Sequence, residues 1–266
     1  MSIRVERSGP VTTVVLDRRE ARNAVNPETA RALHAAFLEF DRDPEASVAV
    51  FYGDHGAFCG GYDLKALSSG EGADWADAIK FSEDRTAPIP PGPMGPSRLE
   101  LSKPVIAAVA GPAVAGGTEL ALWCDFRVME QDAYFGIYCR RWGVPLIDGG
   151  TVRLPRLVGM GRALEIILTG RKVPAEEALR IGMCEYVVPK GTARAKAEAL
   201  AHDIARFPQA CVRADRASVF RQQGLSLAEG LRQEFAGSLP VVRAESILGA
   251  ARFADGKGRH GDFGEI

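Results

Sequence analysis

The sequence predicts an α/β fold with a mostly parallel sheet, followed by a helical tail. Strand-like apolar runs alternate with helical patterns up to about residue 190. From about Ala193 the pattern is helical and alanine-rich, ending in a polar, glycine-containing tail after Arg252. Two glycine-rich stretches, about fifty residues apart, each follow an apolar run and place small residues where a helix should begin.

The elements follow in order. Val11 to Asp17 reads as a strand after a Gly9-Pro10 turn. Arg18 to Asn26 is polar and loop-like. Pro27 opens a helix over Glu28 to Asp41, with Asn26 as N-cap and Leu33, Ala36, Phe37 and Phe40 at helical spacing. Val48 to Tyr52 is a buried-type strand that runs into the first glycine-rich stretch. Ser68 to Ser97 combines a short polar helix candidate, Trp75 to Glu83, with Pro88, Pro90, Pro91, Pro93 and Pro96. It reads either as a mobile lid or as a passive surface insertion. Pro104 to Val109 is a strand leading into the second glycine-rich stretch, and a helix follows from Gly117 to Trp123. Phe126 to Met129 is a short strand. Then come Ala133 to Gly136, a loop, and a turn-rich stretch from Gly143 to Thr151. Helices are expected at Thr151–Val158, Gly161–Thr169 and Ala175–Ile181, and a last strand at Tyr186 to Pro189. These elements divide the chain into a core, 1–192, and a helical region, 193–266.

The glycine-rich stretches carry the chemistry. The first is Ala57-Phe58-Cys59-Gly60-Gly61-Tyr62-Asp63-Leu64-Lys65, and the second runs from Ala107 through Gly116-Gly117-Thr118-Glu119-Leu120. A helix start exposes unpaired N–H groups and a partial positive charge. Two such ends facing one point can hold a developing oxyanion. Glu119 adds a carboxylate to an otherwise apolar helix start, where burial disfavours its charged form. Chemistry at a carbonyl is implied, with an acid–base residue beside it. The other reading of Glu119 is a carboxylate stabilised by the helix dipole.

Composition excludes several classes. The chain has 266 residues, 46% of them hydrophobic, enough for a large core. A formal charge of −1 favours neither nucleic acid nor an acidic membrane as partner. Five cysteines (59, 124, 139, 184, 211) are widely spaced and read as buried, reduced thiols. The histidines 34, 55, 202 and 260 read as surface or loop residues. No metal, nicotinamide or flavin is expected. Without a signal pattern or a transmembrane-length apolar run, the protein is expected to be soluble and cytoplasmic.

Four stretches in this order resemble the enoyl-CoA hydratase/isomerase (crotonase) superfamily. They are Phe58–Lys65, Lys103–Asp125, Gly149-Gly150-Thr151 with Arg153-Leu154-Pro155, and Leu168-Thr169-Gly170 through Pro189. The resemblance implies a spiral of ββα turns, a helical C-terminal region that builds a homotrimer or dimer of trimers, and an acyl-CoA thioester as substrate, with no separate cofactor. By position, the N–H groups of Tyr62 and Gly116 form the oxyanion hole. Arg22, Gly60, Asp63, Leu64 and Lys65 bind the coenzyme, with Arg22 also readable as a solvated loop arginine.

Glu119 falls on one of the two catalytic glutamates of the hydratases. The position of the second falls on Cys139. Asp148, just before Gly149-Gly150-Thr151, is the available substitute, or else the N-cap of the helix that follows. The resemblance implies a hydratase first. The alternatives are an isomerase, a hydrolase or dehalogenase with Asp148 as nucleophile, or a weakly catalytic acyl-CoA binder.

Overall fold

A computed structural model describes residues 2–70, 79–84, 87–261 and 263. Its centre is built by strands with little polar surface. In β2 (Val11–Leu16) all six residues are buried, as are all five of β4 (Val105–Val109). Strands buried on both faces belong in a parallel sheet covered on both sides. The main sheet has the order β1-β2-β3-β4-β6-β9, with β3 at Val48–Gly53, β6 at Phe126–Glu130 and β9 at Tyr186–Val188. Every pairing is parallel except that of β1 (Ile3–Ser8) with β2.

One face is covered by α1 (Pro27–Arg42). The Asn26 side chain caps it by accepting from the Thr29 N–H at 2.9 Å. Leu33, Ala36, Phe37 and Phe40 are buried, as their spacing predicts, and Phe37 meets Phe51 and Trp123 edge-to-face at 5.2 and 4.9 Å. The other face is covered by α7 (Ala193–Ala205). Ala193, Ala197 and Ala201 form a four-residue repeat, fully buried against Val48, Val50, Ile106, Ala108 and Val128. Small side chains let that helix lie close to the sheet.

A second sheet, β5-β7-β8, comprises Pro112–Val114, Tyr134–Gly136 and Lys172–Pro174. Between β5 and β6 lies α3 (Gly116–Trp123), every residue of which is buried. Gly117 lets it do so, because a Cβ there would stand 2.2 Å from the Cys59 carbonyl oxygen. Gly117→Ala is therefore expected to destabilise the fold by about 2–3 kcal/mol, read as a lower denaturant midpoint. The colliding atom is backbone and cannot swing away.

Several expectations change. The strands β1, β5, β7 and β8 were not anticipated. Cys211 is exposed, whereas the other four cysteines are buried. His34 and His202 are half-buried in helices rather than on loops. The helix expected over Trp75–Glu83 falls partly outside the described residues, and 79–83 are not helical. Residues 92–97 are no passive insertion, since all six are buried.

After α7 come α8 (Gln209–Arg221), α9 (Leu227–Val241) and α10 (Ile247–Ala254). Arg216 ties α8 to the core through Asp125 at 2.8 Å and the Leu101 carbonyl at 2.6 Å. Phe220, Leu231, Phe235, Leu248 and Phe253 are exposed on these helices. No described helix is long and apolar enough to cross a membrane.

Candidate active site

The loops that leave β3 and β4 meet. Val25 N–H donates to the Gly61 carbonyl at 2.8 Å, and Asp63 N–H donates to the Val25 carbonyl at 2.9 Å. In this parallel bridge the backbone groups of Tyr62, the residue between, point the other way. That direction leads to α3. A Cβ on Gly61 would touch the Val114 carbonyl at 2.9 Å and lie 3.3 Å from the Gly116 nitrogen. Ala115 turns the chain into α3 with φ +53°, a left-handed conformation costly for a residue with a side chain. The strained turn aims the first N–H groups of α3 toward the Tyr62 segment.

Glu119 sits in the first turn of α3 and is 2% exposed. Its Oε1 accepts from the N–H groups of Asp148 (2.9 Å) and Gly150 (2.8 Å). Burial raises its pKa to about 7; the charge of Asp148 adds to the rise, and the two N–H groups oppose it.

Asp148 is 3% exposed, and its Oδ1 accepts from the Met94 N–H at 3.1 Å and from the Ser97 hydroxyl. Burial raises its pKa, against those two donors. It is not the cap of α4 (Gly150–Val158). That place belongs to Gly149, and no side chain caps the helix. Arg153 donates to the Asp148 carbonyl at 3.0 Å and the Ser97 carbonyl at 2.8 Å, clamping both halves of the site together.

Glu119, Asp148, Gly116 and Met94 border a cavity of about 720 Å³. Arg22, Gly60, Tyr62 and Leu64 line it from the loops after β2 and β3. Tyr138, Cys139, Arg141 and Trp142 line it from the 3-10 turn after β7. An apolar cleft with a few convergent polar groups is the ordinary form of a small-molecule site.

A family model described as Enoyl-CoA hydratase/isomerase matches residues 6–238. The chain belongs to the enoyl-CoA hydratase/isomerase family. It is 38% identical over 207 residues to Enoyl-CoA hydratase EchA19 of Mycobacterium tuberculosis, covering 75% of this chain and 73% of that one. It is 36% identical over 264 residues to Carnitinyl-CoA dehydratase of Salmonella typhimurium, covering 96% and 95%. Among solved structures, an enoyl-CoA hydratase from Mycobacterium tuberculosis superposes with a TM-score of 0.85 at 33% identity, covering 96% of each chain. One from Bacillus anthracis gives 0.85 at 30%, again covering 96% of each. The fold is that of the crotonases, and the protein is an enzyme of the hydratase/isomerase family, which acts on acyl-CoA thioesters.

Of the residues expected to form the site of a hydratase/isomerase, Arg22, Gly60, Tyr62, Leu64, Gly116, Glu119 and Asp148 all border the cavity. Asp63 and Lys65 do not. Asp63 caps α2 (Leu64–Ser68) through the N–H groups of Lys65 (3.0 Å) and Ala66 (3.4 Å), and pairs with Arg18 at 3.2 Å. Lys65 is exposed beside it. Cys139, on the wall where a second glutamate was expected, is 7% exposed. Burial, with the charge of Glu119, raises its thiol pKa, so it stays neutral at pH 7.

Met94, Ser97 and Arg153 went unrecognised in the sequence. The only available signal for the first two was the density of Gly and Pro around them. One described trio could hold a metal, Asp17, Asp54 and His55. Arg4 already donates to both carboxylates, at 2.9 Å for Asp54, and supplies the positive charge there.

Proposed function

We propose that this enzyme adds water reversibly to the double bond of a 2-enoyl-CoA. The observation that carries the reading is the pair of buried carboxylates, Glu119 and Asp148. They are joined through the 2.9 Å bond from the Asp148 N–H to Glu119 Oε1 and border one cavity beside the Tyr62 and Gly116 segments. The charge of Asp148, with burial, disfavours ionisation of Glu119, so the pair keeps a proton up toward neutral pH. Glu119, with the pKa near 7, is its holder. In hydration the ionised Asp148 takes a proton from water as the oxygen bonds to Cβ. The electron pair of the double bond moves through Cα to the thioester oxygen, which the two N–H groups stabilise. Protonated Glu119 then supplies Cα, and proton exchange within the pair resets it. Dehydration runs the same steps backward. The names of the relatives, a hydratase and a dehydratase, support this reaction class.

The exposed apolar side chains of α8, α9 and α10 support assembly as a homotrimer or a dimer of trimers.

The test is mass spectrometry of crotonyl-CoA and longer enoyl-CoA esters incubated with the protein. A gain of one water is expected. Unchanged mass with a moved double bond would replace hydration with isomerisation. Release of free coenzyme A would replace it with hydrolysis.

A further inference from the structure

Contacts order the cavity along its length. Gly60 N–H donates to the Arg22 carbonyl at 3.0 Å, a Cβ on Gly61 would lie 3.3 Å from the Gly116 nitrogen, and Glu119 follows one turn into α3. Cys139 lies next, within the field of Glu119, and Tyr138 and Arg141 belong to the same 3-10 turn. An acyl chain with its carbonyl at Tyr62 and Gly116 and its reacting carbons at Glu119 therefore runs on toward Tyr138 and Arg141.

The aromatic rings at that end already carry cations of this chain. Lys172 Nζ lies 4.3 Å from the centre of the Tyr134 ring. The Arg141 guanidinium lies 4.7 Å from that of Tyr138 and 6.0 Å from that of Trp142. A carnitinyl group, named in one relative, carries a quaternary ammonium and needs open aromatic faces. Here each ring already has a cation of this chain beside it, and a third cation would be repelled.

Arg141 itself lacks a counter-charge. Among the described residues no carboxylate lies within ion-pair distance, and its hydrogen bond is a long one, from Nε to the Tyr138 carbonyl at 3.5 Å. Contact with two rings holds the guanidinium, and among the described residues its Nη groups have no hydrogen-bond partner, which leaves them for a planar anion such as a carboxylate.

We propose that Arg141 selects acyl groups ending in a carboxylate, so that the substrates are coenzyme A monothioesters of unsaturated dicarboxylic acids. This rests on the acyl-CoA orientation given above for the hydratase reading.

The test is calorimetric binding of adipoyl-CoA and hexanoyl-CoA, saturated esters of equal chain length that cannot be hydrated. Wild type is expected to favour adipoyl-CoA about tenfold, the scale of one charge-assisted contact at an exposed site. Arg141→Gln brings the ratio near one, and Arg141→Lys leaves it between, since a point charge lacks the planar fork. Arg22→Gln weakens both esters and keeps the ratio. Equal affinities in wild type, or equal loss on both esters in Arg141→Gln, overturns the proposal and places Arg141 on the coenzyme instead. Turnover of hex-2-enoyl-CoA is scored separately. Hydration without dicarboxylate discrimination defeats this proposal alone, and discrimination without hydration of any ester defeats the hydratase reading alone.

Discussion

Glu119→Gln abolishes turnover, lowering kcat by about a thousandfold or more, yet yields a folded protein. The amide oxygen of glutamine still accepts from the Asp148 and Gly150 N–H groups, so the loop that carries Asp148 keeps its place. What is lost is the proton that Glu119 carries near neutral pH. Steady-state hydration of the ester identified by mass spectrometry measures the effect, with circular dichroism to verify the fold. Turnover within tenfold of wild type would remove Glu119 from the chemistry.

The same variant has a stability signature of defined sign. Glu119 has a folded pKa of about 7 against an ordinary value of 4.5. Between those values the folded state binds more protons than the unfolded state, so wild-type stability falls as pH rises through the window. Above pH 7 the full cost is present, about 3 kcal/mol. Glutamine has no charge to bury. Glu119→Gln should therefore be the more stable protein at pH 8, with the gap closing as pH falls toward 4.5. Denaturant midpoints at the two pH values check this. The gain in stability with loss of activity is what a catalytic carboxylate, and not a structural one, predicts.

The parallel strands were legible in the sequence because burial on both faces leaves near-continuous apolar runs, as in Val48–Tyr52 and Val105–Val109. The edge strand β1 was not. With one partner and one exposed side, Ile3–Ser8 mixes two aliphatic residues with Arg4, Glu6 and Arg7. β5 and β8 have three residues each, too short for any periodicity to appear. In the site, Glu119 stood out because a carboxylate in an apolar helix start needs a reason. Asp148 was visible as a loop aspartate among apolar neighbours, but its two possible roles could be separated only by seeing Oδ1 turned to Met94 and Ser97. The clamp by Arg153 joins positions 56 residues apart and leaves no local trace. Asp63 has a role that the motif hid. Its place in the glycine-rich stretch pointed to the ligand, and the fold uses it as a helix cap.

Asp148→Asn is expected to lower turnover about a hundredfold and to change how the remainder depends on pH. Asparagine is nearly isosteric. Its carbonyl can accept from the Met94 N–H and the Ser97 hydroxyl as the Asp148 Oδ1 does, and the main-chain bonds to Glu119 and Arg153 are unaffected. The charge alone disappears. That charge raises the pKa of Glu119, second only to burial. Without it Glu119 ionises more readily, so the alkaline limb of the kcat/KM profile, near pH 7 in wild type, moves to lower pH. An Asp148 that only holds the loop would give a smaller loss with the same shift, since removing its charge moves the limb in either case. An Asp148 acting with Glu119 on one shared proton gives both the loss and the shift. The size of the loss separates the two roles, and the shift excludes misfolding or a loosened loop, which lowers the whole profile without moving its limb in that direction.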